Sequence, residues 1–90
     1  MKPGIISDSI TLHFANLGVR DNMDLMRCSI FAMDIERLST EDNLNKESIK
    51  QLSSYNGVVN NIISMTDEFL DEIIEKADFL KNMEDRMKGE

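Results

Sequence analysis

From Ile49 to Met87 the chain places a mostly apolar set at alternating three- and four-residue steps: Ile49, Leu52, Asn56, Val59, Ile63, Thr66, Leu70, Ile73, Ala77, Leu80, Glu84 and Met87. An average step of 3.5 residues follows one face of an α-helix and cannot follow a strand, whose side chains repeat every second residue. Tyr55, Ile62, Phe69 and Met83 lie along one flank of this seam and widen it from a narrow zipper into a face suited to a bundle. Asp67, Glu68, Asp71, Glu72, Glu75 and Asp78 fall on the other side, where water can solvate them. The pattern predicts an amphipathic helix over 58–87, led into by a helical segment over 46–56.

A second helix is expected over 22–38. The Asp21 carboxylate can accept from an early backbone N–H and so cap its start. Met23, Leu25, Met26, Cys28, Ile30, Phe31, Ala32, Met33, Ile35 and Leu38 cover most of its circumference, leaving a narrow polar seam at Asp24, Arg27, Asp34 and Arg37. One antiparallel neighbour cannot cover such a surface, so contacts on two sides are expected. Met23, Met26, Ile30 and Met33, with Ile63, Leu70 and Ile73 of the C-terminal seam, are the expected interaction residues. Methionine is flexible and polarizable, which suits it to adaptable binding surfaces as well as to cores.

Residues 39–47 are polar and rich in side chains that compete with the helix backbone for hydrogen bonds, so they read as a connection, with Asn45 able to cap a helix from Lys46. In the N-terminal segment, about 1–20, Ile6, Ile10, Phe14 and Leu17 suit a short helix ending at Gly18. Ile6, Ile10, Leu12 and Phe14 would also suit a strand, but no second strand is in prospect to pair with it. The expected fold class is all-α: one domain over 1–90, an antiparallel helical hairpin or small helical bundle. Ninety residues enclose a thin core, which makes self-association or a protein partner a natural expectation.

A formal net charge of −7 repels phosphate backbones and anionic lipid surfaces, which argues against direct nucleic-acid binding and against membrane association. Cys28 is the single cysteine, so neither an internal disulfide nor a thiolate zinc cage can form. No apolar run approaches the roughly 18 residues of a membrane span, and the first residues lack the apolar stretch of a signal peptide. A cytoplasmic protein is expected, with any export independent of a cleaved signal.

Catalytic chemistry has little to stand on. His13 is the only histidine, which excludes a di-iron centre built on two Glu-x-x-His repeats. Glu72, Glu75 and Asp78 have the spacing of magnesium-binding carboxylates, but the facing pair such a site needs could come only from Asp34 and Glu36, which do not share a helix face. No glycine-framed nucleophile and no phosphate-cradling loop occurs. The reading is of a non-enzymatic protein without catalytic residues, metal or cofactor. Its function is expected to be protein–protein interaction as a homodimer or heterodimer, or alternatively inhibition of a basic site on a partner by the acidic stripe.

Tyr55-Asn56-Gly57 interrupts the C-terminal seam with two poor helix formers. Asparagine before glycine suits a left-handed helix end, yet the seam passes through in register; local chemistry and periodicity point opposite ways. An apolar helix leading through Ile49-Lys50-Gln51-Leu52-Ser53-Ser54 into an aromatic-x-Gly tripeptide, followed by Val58-Val59 and an amphipathic helix, resembles the small Trp-x-Gly proteins of type VII (Esx) secretion systems. The resemblance covers about residues 20–90 and implies a dimerising antiparallel hairpin that bends at the tripeptide. Tyr55 would take the Trp position and Gly57 the Gly position. It further implies a role as a secreted small protein, or as partner or chaperone of a larger exported one. The acidic residue of the family's export signal has a counterpart in Glu84, four positions after Leu80 rather than after an aromatic.

Overall fold

Residues 4–89 are described in this computed structural model, and every regular element among them is a helix: α1 (Ile5–Asn16), α2 (Asn22–Thr40), α3 (Lys46–Tyr55), α4 (Gly57–Ile62) and α5 (Asp67–Gly89). The fold is all-α, a small bundle rather than a two-helix hairpin. The first three residues of the N-terminal segment and Glu90 at the end of the domain lie outside the described residues.

Local chemistry sets most of the helix ends. Gly18, at φ +107°, closes α1: Val19 N–H donates to Phe14 O at 3.2 Å and Gly18 N–H to Ala15 O at 3.0 Å. This crossed pair satisfies the last carbonyls and requires the left-handed conformation that glycine adopts without strain. Asp21 caps α2, its Oδ1 accepting from Met23 N–H at 2.9 Å and Asp24 N–H at 3.3 Å. The same crossed pattern ends α2, with Asp42 in the left-handed region at φ 59°. α2 runs to Thr40, so Ser39 belongs to the helix and is buried rather than part of a polar connection. Asn45 and Ser48 form a reciprocal capping box at the start of α3, through Ser48 N–H to Asn45 Oδ1 (2.9 Å) and Asn45 N–H to Ser48 Oγ (3.0 Å).

The start of α1 is capped from a distance. Gly4 has no side chain to offer, and the Glu36 carboxylate of α2 accepts from Ile6 N–H at 2.9 Å and Ser7 N–H at 3.2 Å. A negative group here satisfies two orphan donors and complements the positive end of the helix dipole. It also ties α1 to α2 across thirty residues of sequence.

α2 lies at the centre and touches each of the other four helices. Its Cys28, Phe31, Ala32 and Ile35 point inward, against Ile6, Ile10 and Phe14 of α1, Ile49 of α3, Val59 of α4, and Phe69, Leu70, Ile73 and Ala77 of α5. Phe14 meets Phe31 edge-on at 6.1 Å, a geometry that favours aromatic pairs, and lies tilted against Phe69 at 5.6 Å.

The continuous helix expected over 58–87 is interrupted. Ile63 is extended (φ −132°, ψ 133°), the helical ladder stops, and α5 begins afresh where Thr66 Oγ1 accepts from Phe69 N–H at 3.1 Å. A threonine followed by Asp67 and Glu68 makes a helix start that rivals continuation, because the hydroxyl and both carboxylates suit an N-terminus. Break and continuity at Tyr55-Asn56-Gly57 are also resolved, in favour of a break of one residue. Asn56 (φ −106°, ψ 69°) is the only non-helical residue between α3 and α4, and Asn60 Nδ2 donates across the kink to Ser53 O at 3.1 Å. Gly57 is the first residue of α4 and has no positive φ, so the left-handed helix end that Asn56-Gly57 would suit does not form. Tyr55 is 92% exposed instead of flanking a buried seam. Leu17, too, sits outside the core.

Candidate functional site

Successive residues of a helix turn by about 100°, so the inward and outward faces of α2 can be laid out from its sequence. Cys28, Phe31, Ala32 and Ile35 share one side. Met23, Met26, Ile30 and Met33 cluster within an arc of about 80° on the opposite side, and they are between 51 and 59% exposed. The central helix is therefore amphipathic twice over: one apolar face makes the core and the other meets solvent.

The outward residues follow steps of three, four and three, the spacing with which a helix presents a seam to a second helix. Arg27 and Asp34 border one edge; Asn22, Ser29 and Thr40 border the other, and Arg37 continues the stripe at its C-terminal end. Asp34 Oδ1 lies 3.6 Å from Arg37 Nη2 in a largely exposed pair. Glu36, which would add a negative charge near the uncharged edge, is turned to the start of α1. The stripe thus combines long flexible thioethers with two charges of opposite sign on one side.

Of the expected interaction residues, only the four on α2 share this exposed surface. Leu70 and Ile73 are completely buried between α5 and the other helices, so they are core residues and offer nothing to a partner. Ile63 is half-buried in the extended link before α5 and is not part of the stripe. Tyr55 and Gly57 stand at the α3–α4 kink, outside it as well.

The acidic residues of α5 are exposed except for the partly buried Glu84, but several have partners inside the molecule. Lys46 Nζ of α3 is 3.3 Å from Asp71 and 4.0 Å from Asp67. Glu72 Oε2 lies 3.1 Å from His13 Nε2, and that imidazole stacks on Phe69 with ring centroids 6.0 Å apart. His13 Nε2 is buried and makes no directional hydrogen bond. An open groove runs beside this contact, lined by His13, Glu72, Glu75, Lys76 and Phe79. Among the described residues no three His, Cys, Asp or Glu side chains gather in a way that could hold a metal ion. Asp34 borders the outward stripe while Glu36 caps α1, so they do not form a carboxylate pair facing Glu72 and Glu75.

Cys28 sits in the core with its thiol pKa pushed up to about 11, chiefly by burial and further by the nearby Asp24 carboxylate. A thiol held protonated in this way is a poor nucleophile and a poor metal ligand at neutral pH. No helix among the described residues is long and apolar enough to cross a membrane.

Phe79 on α5 is an exposed apolar residue that sequence patterning did not single out; Leu12 on α1, Met83 on the flank of the seam and Met87 in the seam itself are exposed too, contrary to the inward face expected for the last two. The signal for the α5 set was present: Phe79, Met83 and Met87 repeat every four residues and drift across the helix as its C-terminal turns outrun the core, whose last fully buried α5 residue is Ala77. Compared with protein-family models, with curated proteins and with solved structures, the chain matches none.

Proposed function

We propose that this chain is a non-enzymatic, cytoplasmic helical module that binds protein through the outward face of α2. The observation that carries the reading is the exposure of Met23, Met26, Ile30 and Met33 on the helix that touches each of the other four. A central helix is already fixed by its buried face, so its second apolar face contributes little to folding and is available for contact. Methionine suits that role, since it can repack against partners of differing shape.

The alternative, an acidic inhibitor acting through α5, is less well supported. Lys46 and His13 already sit against Asp67, Asp71 and Glu72, which leaves Glu68, Glu75 and Asp78 as the unengaged part of the stripe. The type VII assignment requires one reversal between two long helices, whereas helices here end at both Tyr55 and Ile62. The module is proposed without it.

Quantitative affinity capture with the full chain tests the reading. Proteins retained by the wild type at high salt should be lost from Met26→Glu and Ile30→Glu variants that keep their helical circular dichroism. Capture that is indifferent to these substitutions, or that disappears as salt rises, would refute the α2 reading in favour of the charged face.

A further inference from the structure

We propose that the outward face of α2 is the two-fold interface of an antiparallel homodimer, in which Arg27 of each copy meets Asp34 of the other. The inference rests on the reading of the chain as an interaction module and names its partner as a second copy. It starts from the spacing of Met23, Met26, Ile30 and Met33, which gives a seam only one helix wide. The natural occupant of such a seam is another helix with a seam of the same kind.

A two-fold interface must be self-complementary, because residue i contacts residue j while j contacts i. The charges around the stripe meet that condition. Arg27 and Asp34 lie one heptad apart on the same edge, and the opposite edge is uncharged at Asn22, Ser29 and Thr40. When two helices pair antiparallel, each edge faces the same edge of its partner running in reverse, so the Arg27–Asp34 contact forms twice. A parallel pair would set the charged edge against the uncharged one and leave both charges without a partner. The existing Asp34–Arg37 contact, 3.6 Å long and largely exposed, offers little resistance to this exchange.

The distribution of net charge also permits a second copy. A chain of net charge −7 repels its like, but the largest share of the acid excess lies on α5, where eight Asp and Glu residues stand against four Lys and Arg. The α2 face carries Arg27, Arg37 and Asp34, so two copies can meet on this apolar surface without facing acidic stripes. A strongly acidic or strongly basic partner would find no matching excess there, and an anionic membrane would find only two arginines.

Sedimentation equilibrium of the full chain over a wide concentration range is the test. The wild type should dimerise, and Ile30→Glu should be a folded monomer by circular dichroism. Arg27→Glu and Asp34→Arg should each weaken association about tenfold or more, because each sets like charges against one another at both contacts. An equimolar mixture of these two variants should recover the dimer, since the introduced carboxylate of one then meets the introduced guanidinium of the other, while the native Asp34 and Arg27 pair at the second contact. That recovery also shows that each variant is folded. A wild type that stays monomeric, or single variants that dimerise like the wild type, would overturn the proposal, as would binding of the stripe to anionic phosphatidylserine vesicles by the monomer. If the wild type is monomeric yet loses a captured heterologous protein on Ile30→Glu substitution, the homodimer fails while the interaction module stands; if nothing depends on the stripe, both fail.

Discussion

Removing the Glu36 carboxylate should unlock α1 from the bundle. Its two contacts, to Ile6 N–H at 2.9 Å and Ser7 N–H at 3.2 Å, are charge-assisted and partly buried, and Gly4 supplies no substitute. A hydrogen bond to a charged group contributes about 1.5–3 kcal/mol when lost from a buried site, and a helix cap about 1 kcal/mol. Water can reach part of this site, so Glu36→Ala is expected to cost about 2 kcal/mol, short of the full sum. Glu36→Gln keeps an acceptor of the same shape and loses the charge, for a cost of about 1 kcal/mol. In a domain of this size each kcal/mol lowers the melting temperature by roughly 4–8 °C. Urea titration followed by circular dichroism gives the free energies, and amide exchange at Ile6 and Ser7 shows whether the loss begins at α1. An Ala variant within about 0.5 kcal/mol of wild type, with unchanged exchange at those amides, would mean that the Glu36 contact does not hold α1.

Gly18 and Gly57 should respond oppositely to alanine. Gly18→Ala forces a Cβ into the left-handed region at φ +107° and should cost about 1–2 kcal/mol, whereas Gly57→Ala meets no atom within 4 Å at an ordinary helical position and should gain about 0.5 kcal/mol in urea titration. Loss of stability on Gly57→Ala would show that the kink at Asn56 needs glycine after it. Leu70→Asp should abolish the folded monomer, because a completely buried carboxylate with no partner costs several kcal/mol; a helical, unchanged variant would remove Leu70 from the core. The Cys28 thiol, pushed from 9.0 to about 11 by burial and then by Asp24, keeps its proton longer in the folded than in the unfolded chain. Its contribution to stability is therefore complete below pH 9 and declines as pH rises through the window up to about 11, by up to roughly 1.4 kcal/mol per pH unit. Urea midpoints at rising pH should fall accordingly, and iodoacetamide at about pH 8, below the usual thiol pKa, should label the native protein only as fast as it opens. Labelling at the rate of a free thiol would contradict this.

What could be read from the sequence was what neighbouring residues determine among themselves. Asp21 and Asn45 cap helices as their chemistry suggests, and Gly18 ends α1 because only a residue without a Cβ turns left-handed there at no cost. The C-terminal seam also points mostly inward, with Ile49, Val59, Leu70, Ile73 and Ala77 all buried, even though its backbone is broken twice. Periodicity reported which side chains face the core, but not whether the helix between them is continuous. Thr66 shows why: as a seam position it continued the pattern, while its hydroxyl was equally suited to begin a new helix. The Glu36 cap had no local sign at all, since its donors lie thirty residues away.

The outward face of α2 was legible only in part, for a different reason. Apolar residues surround this helix, and hydrophobicity alone does not say which half is covered. Side-chain character divides them better: the inward set, Cys28, Phe31, Ala32 and Ile35, is compact or rigid, while three of the four outward residues are methionines. A close-packed core gains from side chains with few rotamers, because little entropy is lost in fixing them and each shape fits one place. A surface that must meet a second molecule gains from side chains that can still adjust. The division of α2 into a stiff face and a flexible face is therefore the strongest physical ground for treating its methionines as contact residues rather than as core residues left uncovered.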